Sequence, residues 1–427
     1  MSEDAHKRPP GFFRATIKEQ ARLVAIRPPA PPRLLFRVGR WWTATVLRES
    51  APQLAVAGLV VLAILLLLGA AEVRIGVIAL AIVALPVLWE IRLVYLAHRS
   101  VARIEQALEG IELDEGPVPR VPRSHLVIPP LAFITRGVKR TRGVKFADFD
   151  GIRLRLDIYR PADDDPHDDI LHPGVVQVHG GGWLAGSRYE QGIPLLNHLA
   201  SIGWIGFNID YRLSPQATFP DQIVDVKRAI AWVRENAGEL GVDPEMICIT
   251  GGSAGGHLTA LAGLTENDPD LQPGFEDADT SVGAAVPFYG VYDLTNAGGH
   301  YYPEIREWVF EKIVFKRPFA DSEEIYREAS PAFRVHPDAP PFLVIHGDRD
   351  TLVPVGDARD FVEKLRTVSS ERVAYVELPG AEHAFDLWPS ERSARISEGI
   401  GRFLTAVAKE RGKAPPEVGA ASSASSA

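Results

Sequence analysis

Between residues 141 and 409, short apolar runs alternate with helical patterns, and this alternation restricts the possible folds more than any other feature of the chain. The apolar runs cover 175–179, 204–209, 246–250, 284–288, 342–346 and 373–378. The helical patterns cover 190–201, 220–236, 254–264, 355–365 and 392–407. Apolar runs this short, set between helices, are the signature of strands buried on both faces, so the spacing predicts a mostly parallel, doubly wound α/β sheet. Upstream, residues 146–148 and 152–159 flank Asp150-Gly151, and Ile152, Leu154, Leu156 and Ile158 alternate as one face of a half-buried strand. That predicts a hairpin and hence an antiparallel first edge. The aromatic-rich stretch 293–333, broken by Pro303 and Pro318, interrupts the alternation and is expected to form a helical cap insertion.

The 427 residues include 46% hydrophobic and 24% charged side chains, which is enough apolar material for a core and excludes collagen-like and wholly disordered chains. The single cysteine, Cys248, excludes an intrachain disulfide and a cysteine-rich zinc site. Net charge is −9, yet residues 1–50 carry ten basic side chains against four acidic ones. A basic arm suits nucleic acid or an anionic membrane surface, and the next segment decides between them. Residues 51–71 form a run of 21 without a charge, sufficient for a transmembrane helix. A second apolar run spans 75–89 and continues to residue 97. Arg33, Arg37, Arg40 and Arg48 precede the pair and Arg92, Arg99 and Arg103 follow it, so both outer ends are expected on the cytoplasmic side. The expected organisation is a basic tail over 1–50, a transmembrane hairpin over 51–97 and a linker over 98–140. A catalytic domain over 141–410 and a disordered tail over 411–427 follow. The cell membrane is the expected location, with no nucleic-acid partner.

Residues 246–250 lead into Gly251-Gly252-Ser253-Ala254-Gly255-Gly256-His257, a G-x-S-x-G sequence at a predicted strand-to-helix junction. Flanking glycines let such a turn close and hold the serine hydroxyl clear of neighbouring side chains. Serine is a weak nucleophile at neutral pH, so a base must accept its proton and an acid must fix the tautomer of that base. Gly347-Asp348-Arg349-Asp350 and Gly380-Ala381-Glu382-His383 both lie just past the carboxyl ends of predicted strands, where open α/β sheets bind ligands. Asp350 is the expected acid and His383 the expected base, with Asp348 the alternative acid and His300 and His336 alternative bases. His179-Gly180-Gly181-Gly182 follows another predicted strand, and its backbone N–H groups, with that of Ala254, suit a tetrahedral oxyanion. The acidic run 163–169 has no companion ligands at metal spacing and is expected to be a solvated loop.

With HGGGW, GGSAGG, HGDRD and GAEHAF in that order, the region 141–409 resembles the α/β-hydrolase esterases and lipases, and most nearly their hormone-sensitive-lipase-like group. Asp210-Tyr211-Arg212-Leu213-Ser214-Pro215, then Phe219-Pro220, Asp225 and Trp232, is similar to that group between the glycine-rich loop and the elbow. Gly252 stands where the group often carries an acid. The resemblance implies a Ser253–Asp350–His383 triad, an oxyanion hole from Gly181, Gly182 and Ala254, and no cofactor. The expected function is a membrane-anchored serine hydrolase of small-molecule or lipid esters. The alternatives are an amidase, formamidase or peptidase with the same triad, and a non-catalytic membrane adaptor on the same fold.

Overall fold

A computed structural model of the chain describes residues 30–110, 137–149, 151–166, 169–388 and 390–416. Asp150 of the hairpin turn, His167 and Asp168 of the acidic run, and most of the arm, linker and C-terminal tail lie outside these residues. Among them, eight strands form one sheet in the order β1-β2-β4-β3-β5-β6-β7-β8. β1 (Val138–Phe149) and β2 (Ile152–Pro161) make the antiparallel hairpin, with Phe149 opposite Ile152. β2 is also antiparallel to β4 (Ile205–Ile209). From β4 onward, β3 (His172–Val178), β5 (Val242–Gly252), β6 (Ala285–Phe288), β7 (Phe342–Gly347) and β8 (Val373–Leu378) run parallel. Every predicted apolar run falls on one of these strands.

The runs read as continuous rather than alternating because helices cover both faces of the sheet. Val176, Phe207, Ile249 and Val344 point into one apolar layer, closed by the helices Asp221–Glu235, Ala254–Gly263 and Val355–Val368. Their neighbours Val175, Cys248 and Ile345 point into the other, closed by Ile193–Ser201 and Glu391–Glu410. The acidic run is in part a buried anchor: Asp164 pairs with Arg160 at 2.6 Å and with His172 at 2.9 Å.

The largest departure from expectation is at the N-terminal end. Residues 32–49, counted with the basic arm on composition, form the helix Pro32–Glu49. Leu34, Val38, Trp41, Thr45 and Glu49 recur at helical spacing on one stripe, and that stripe packs on the hydrolase-like domain. Glu49 and Arg392 form a buried ion pair at 2.5 Å, and Glu49 also accepts from Ser390 Oγ at 2.6 Å. The uncharged run does not form one straight span. A helix of 17 residues, Ala51–Leu67, turns back through Ala70–Glu72 into Arg74–Ala107. Gly58 meets the side chain of Val87, so the two helices pack as a hairpin. Pro52, with no N–H and a ring that blocks the preceding turn, accounts for the 69° bend between Pro32–Glu49 and Ala51–Leu67. Among the described residues, Arg74–Ala107 is long and apolar enough to cross a membrane, and the bent pair passes the same test only when taken together. The lower half of Arg74–Ala107 docks on the domain, where Ile104 packs against Gly399 and Glu105 pairs with Arg402.

Candidate active site

β5 ends at Gly252 and the next helix starts at Ala254, so Ser253 alone makes the turn, with φ +59° and ψ −121°. A left-handed backbone is unfavourable for serine and holds its hydroxyl at the crest of the sheet. Close packing explains the glycines beside it: a Cβ on Gly255 would lie 2.1 Å from the carbonyl oxygen of Val178.

His383 Nε2 lies 2.9 Å from Ser253 Oγ, and His383 Nδ1 lies 2.6 Å from Asp350 Oδ2. Asp350 therefore fixes the tautomer: Nδ1–H donates to the carboxylate and Nε2 is free to accept from the serine hydroxyl. Both loops leave the carboxyl ends of their strands, β7 and β8, as the sequence predicts. Asp350 Oδ1 accepts from the backbone N–H groups of Leu352 and Val353 at 2.9 and 2.7 Å. Burial alone would raise this carboxyl, but the charge of His383 and the hydrogen bonds from His346 and His383 outweigh it and hold it below the ordinary carboxylate range. Of the alternatives, Asp348 instead accepts from Gly380 N at 2.7 Å, and His300 bonds Asp360 at 2.7 Å. The backbone carbonyl of His336 accepts from Ala339 N, and it is His383 that reaches the serine.

The glycine-rich loop is held at several points. The buried ring of His179 stacks on Tyr211 with centroids 4.3 Å apart, and its Nδ1–H donates to Gly180 O at 2.7 Å. Gly180 N donates to Gln191 Oε1 at 2.5 Å, Gln191 Nε2 donates to Tyr289 OH at 2.7 Å, and Tyr289 OH donates to Asp386. The Tyr289 ring also sits 4.5 Å from that of His383. One hydrogen-bonded chain thus joins the glycine-rich loop to the histidine loop. Trp183 donates to His257 Nδ1 at 3.2 Å and His257 Nε2–H to Ala329 O at 2.7 Å, tying the same loop to the stretch 293–333. Burial pushes His257 down to about 4, so it serves as a neutral strut.

A cavity of about 450 Å³ contains Ser253, His383 and Gly180, Gly181 and Gly182. Trp308 and Phe310, from the π-helical segment Ile305–Val314, line it on one side. Leu34, Val38 and Trp42 of the N-terminal helix line another. That helix also grips the histidine loop, since Trp41 Nε1 and Thr45 Oγ1 both donate to His383 O, at 2.8 and 3.1 Å, and Arg48 donates to Gly380 O at 2.8 Å. Thr45, Gln191, Tyr289, Asp386 and the supporting contacts of Trp41 and His257 are not among the site residues expected from the sequence. The stripe 34, 38, 41, 45, 49 was a readable signal; Gln191 and Asp386 carried none.

A family model described as BD-FAE matches residues 156–365. Over 252 residues the chain is 50% identical to the probable carboxylic ester hydrolase LipM of Mycobacterium tuberculosis, a match covering 59% of this chain and 58% of that protein. It is 48% identical over 249 residues to Esterase LipQ of the same organism, with 58% of each covered. The chain thus spans 58% of the length of these curated relatives. A butyrate-bound esterase from Thermogutta terrifontis superposes with a TM-score of 0.54 at 29% identity, covering 66% of this chain and 97% of that one. Over this region the chain is thus similar in sequence and in fold to esterases.

The glycine at the elbow has a local cause. A Cβ on Gly252 would fall 2.4 Å from Gln191 Nε2 and 2.7 Å from Tyr289 OH, so the hydrogen-bonded pair occupies the space a larger residue would need. A buried acid is still present nearby, supplied by Asp386 from the histidine loop, and burial pushes its carboxyl up.

Proposed function

We propose that this protein is a membrane-anchored serine hydrolase of carboxylic esters, with its catalytic domain over residues 141–410 on the cytoplasmic side. The observation that carries the reading is the Ser253 Oγ to His383 Nε2 contact of 2.9 Å backed by the 2.6 Å bond to Asp350. The serine proton passes to His383 Nε2 as Oγ attacks the ester carbonyl carbon. The negative charge developing on the carbonyl oxygen is met by the N–H groups of Gly181, Gly182 and Ala254. The tetrahedral species collapses, the C–O bond to the alcohol breaks, and His383 Nε2–H protonates the leaving alkoxide. Water then repeats the sequence on the acyl-serine and releases the acid. Asp350 keeps the imidazolium oriented throughout and does not itself take the proton.

Support for an ester substrate comes from relatives described as ester hydrolases and from the neighbour captured with butyrate. The anchor is supported by the helix Arg74–Ala107, whose most apolar 18 residues are only 17% buried, unlike those of a core helix. The test is fluorophosphonate labelling beside turnover of p-nitrophenyl esters and matched amides by the full chain and by Ser253→Ala. Labelling and ester turnover that vanish in the variant are expected. Faster amide than ester cleavage would assign an amidase, and a folded protein that neither labels nor turns over would be an adaptor.

A further inference from the structure

We propose that the substrate is an ester dissolved in the lipid bilayer, whose acyl chain enters the catalytic cavity along the N-terminal helix. The assignment rests on the ester-hydrolase and anchor readings above and adds the source and class of the ester. Three geometric facts lead to it. First, Leu35 lines the cavity that holds Ser253 and yet is 46% exposed, so the cavity reaches the surface along this helix. Second, this same helix runs directly into the apolar hairpin after a bend of 69°. A hairpin crossing a bilayer near its normal therefore lays the helix Pro32–Glu49 close to the membrane plane. Third, the helix has two working faces. Leu34, Val38 and Trp41 face the hydrolase, while Phe36, 72% exposed, and the exposed Leu47 share the outer side with exposed Arg33 and Arg40. Apolar side chains interleaved with arginine suit the headgroup boundary of a membrane and are out of place against water.

The rest of the molecule holds the site in that position. The exposed apolar surface of Arg74–Ala107 runs from Ile75 to Tyr95, with Arg92 stacked 5.2 Å over Trp89, an arrangement suited to the interface. Beyond that point the helix docks on the C-terminal helix through Ile104 and the Glu105–Arg402 pair. Both outer arms of the hairpin are thus packed against the catalytic domain, which fixes the cavity beside the bilayer. A chain leaving the lipid would pass from one apolar medium to another without exposure to water, and each methylene kept dry is worth about 0.8 kcal/mol.

The test uses the full chain reconstituted in phosphatidylcholine–phosphatidylglycerol vesicles. Dioleoylglycerol in those vesicles is the bilayer ester, p-nitrophenyl butyrate the soluble one, and fluorophosphonate labelling reports the serine. Turnover of dioleoylglycerol should follow its mole fraction in the bilayer and be insensitive to bulk concentration at fixed mole fraction. Phe36→Glu, on the outer face, should slow it by about tenfold, in line with the burial energy of one aromatic side chain, while leaving butyrate turnover unchanged. Arg40→Glu, a milder change on the same face, should act in the same direction. The unchanged soluble activity shows that either variant is folded. Butyrate turnover with no attack on dioleoylglycerol, or equal rates for wild type and both variants, overturns the bilayer route and leaves the esterase reading intact. Loss of labelling and of both activities in the wild type removes the esterase reading, and the bilayer route falls with it.

Discussion

Trp41 Nε1 donates to the backbone oxygen of His383 at 2.8 Å, across 342 positions of sequence. The helix that leads into the apolar hairpin therefore holds the histidine that approaches Ser253. Thr45 donates to the same oxygen from one turn further on.

Removing both donors leaves a carbonyl in a buried loop without them, at a penalty of about 1–3 kcal/mol. Trp41→Phe with Thr45→Val is expected to lower kcat on p-nitrophenyl butyrate by roughly tenfold, with a smaller change in KM. Thr43→Val, exposed on the same helix, should change neither. Steady-state kinetics on the three proteins decide it.

The buried pair Glu49–Arg392, each side chain 2% exposed, links the same helix to the C-terminal one. Stranding one member of such a pair costs about 3–5 kcal/mol, whereas replacing both with apolar groups is often neutral. Glu49→Ala should lower the melting temperature in detergent markedly, and Glu49→Leu with Arg392→Met should recover most of the loss.

Gln191 is expected to position the glycine-rich loop without touching substrate. Gln191→Ala unlatches Gly180 N and should reduce kcat by about 10²-fold, the scale of a lost oxyanion donor, with KM little altered. Gly252→Ala should be severely damaging in the wild type and less so in the Gln191→Ala background, because one of the two side chains it would strike is gone and only Tyr289 remains in its way. A double-mutant cycle on kcat measures this coupling.

Asp357 is fully buried, where it accepts from Tyr292 N at 2.7 Å and from Tyr301 OH at 2.5 Å. Burial pushes its carboxyl up to about 6, the two hydrogen bonds opposing that rise only in part. Its folded value exceeds its unfolded one, so the folded state holds the proton more tightly. The associated stability is complete below about pH 4 and is lost as the pH rises through about 6. Asp357→Asn keeps an acceptor for both donors and carries no charge. Melting temperatures should fall between pH 4 and 7 less steeply for the variant than for the wild type, and an identical slope would refute the assignment.

The fold was legible because each strand's apolar run is set by local sequence and by covering helices that are themselves periodic. Ser253, Asp350 and His383 were legible for a related reason. Each sits just past a strand end, so strand positions and chain order already limit which acid and which histidine can meet a serine at the crest. Gln191, Tyr289 and Asp386 carry no local pattern, since their relation exists only through contacts between loops far apart in the chain. The net charge of the first fifty residues hides the N-terminal helix, whose packing depends on a stripe of five side chains.

Sequence by itself determined the doubly wound sheet, the elbow at Ser253, the order of acid and base, and an apolar segment ahead of the domain, because each depends on periodicity or on residues adjacent in the chain. Tertiary structure alone decided that the helix Pro32–Glu49 walls the cavity and grips His383, and why Gly252 is a glycine. Those outcomes depend on which distant surfaces meet, and contact between remote segments is set by the packing of the whole chain.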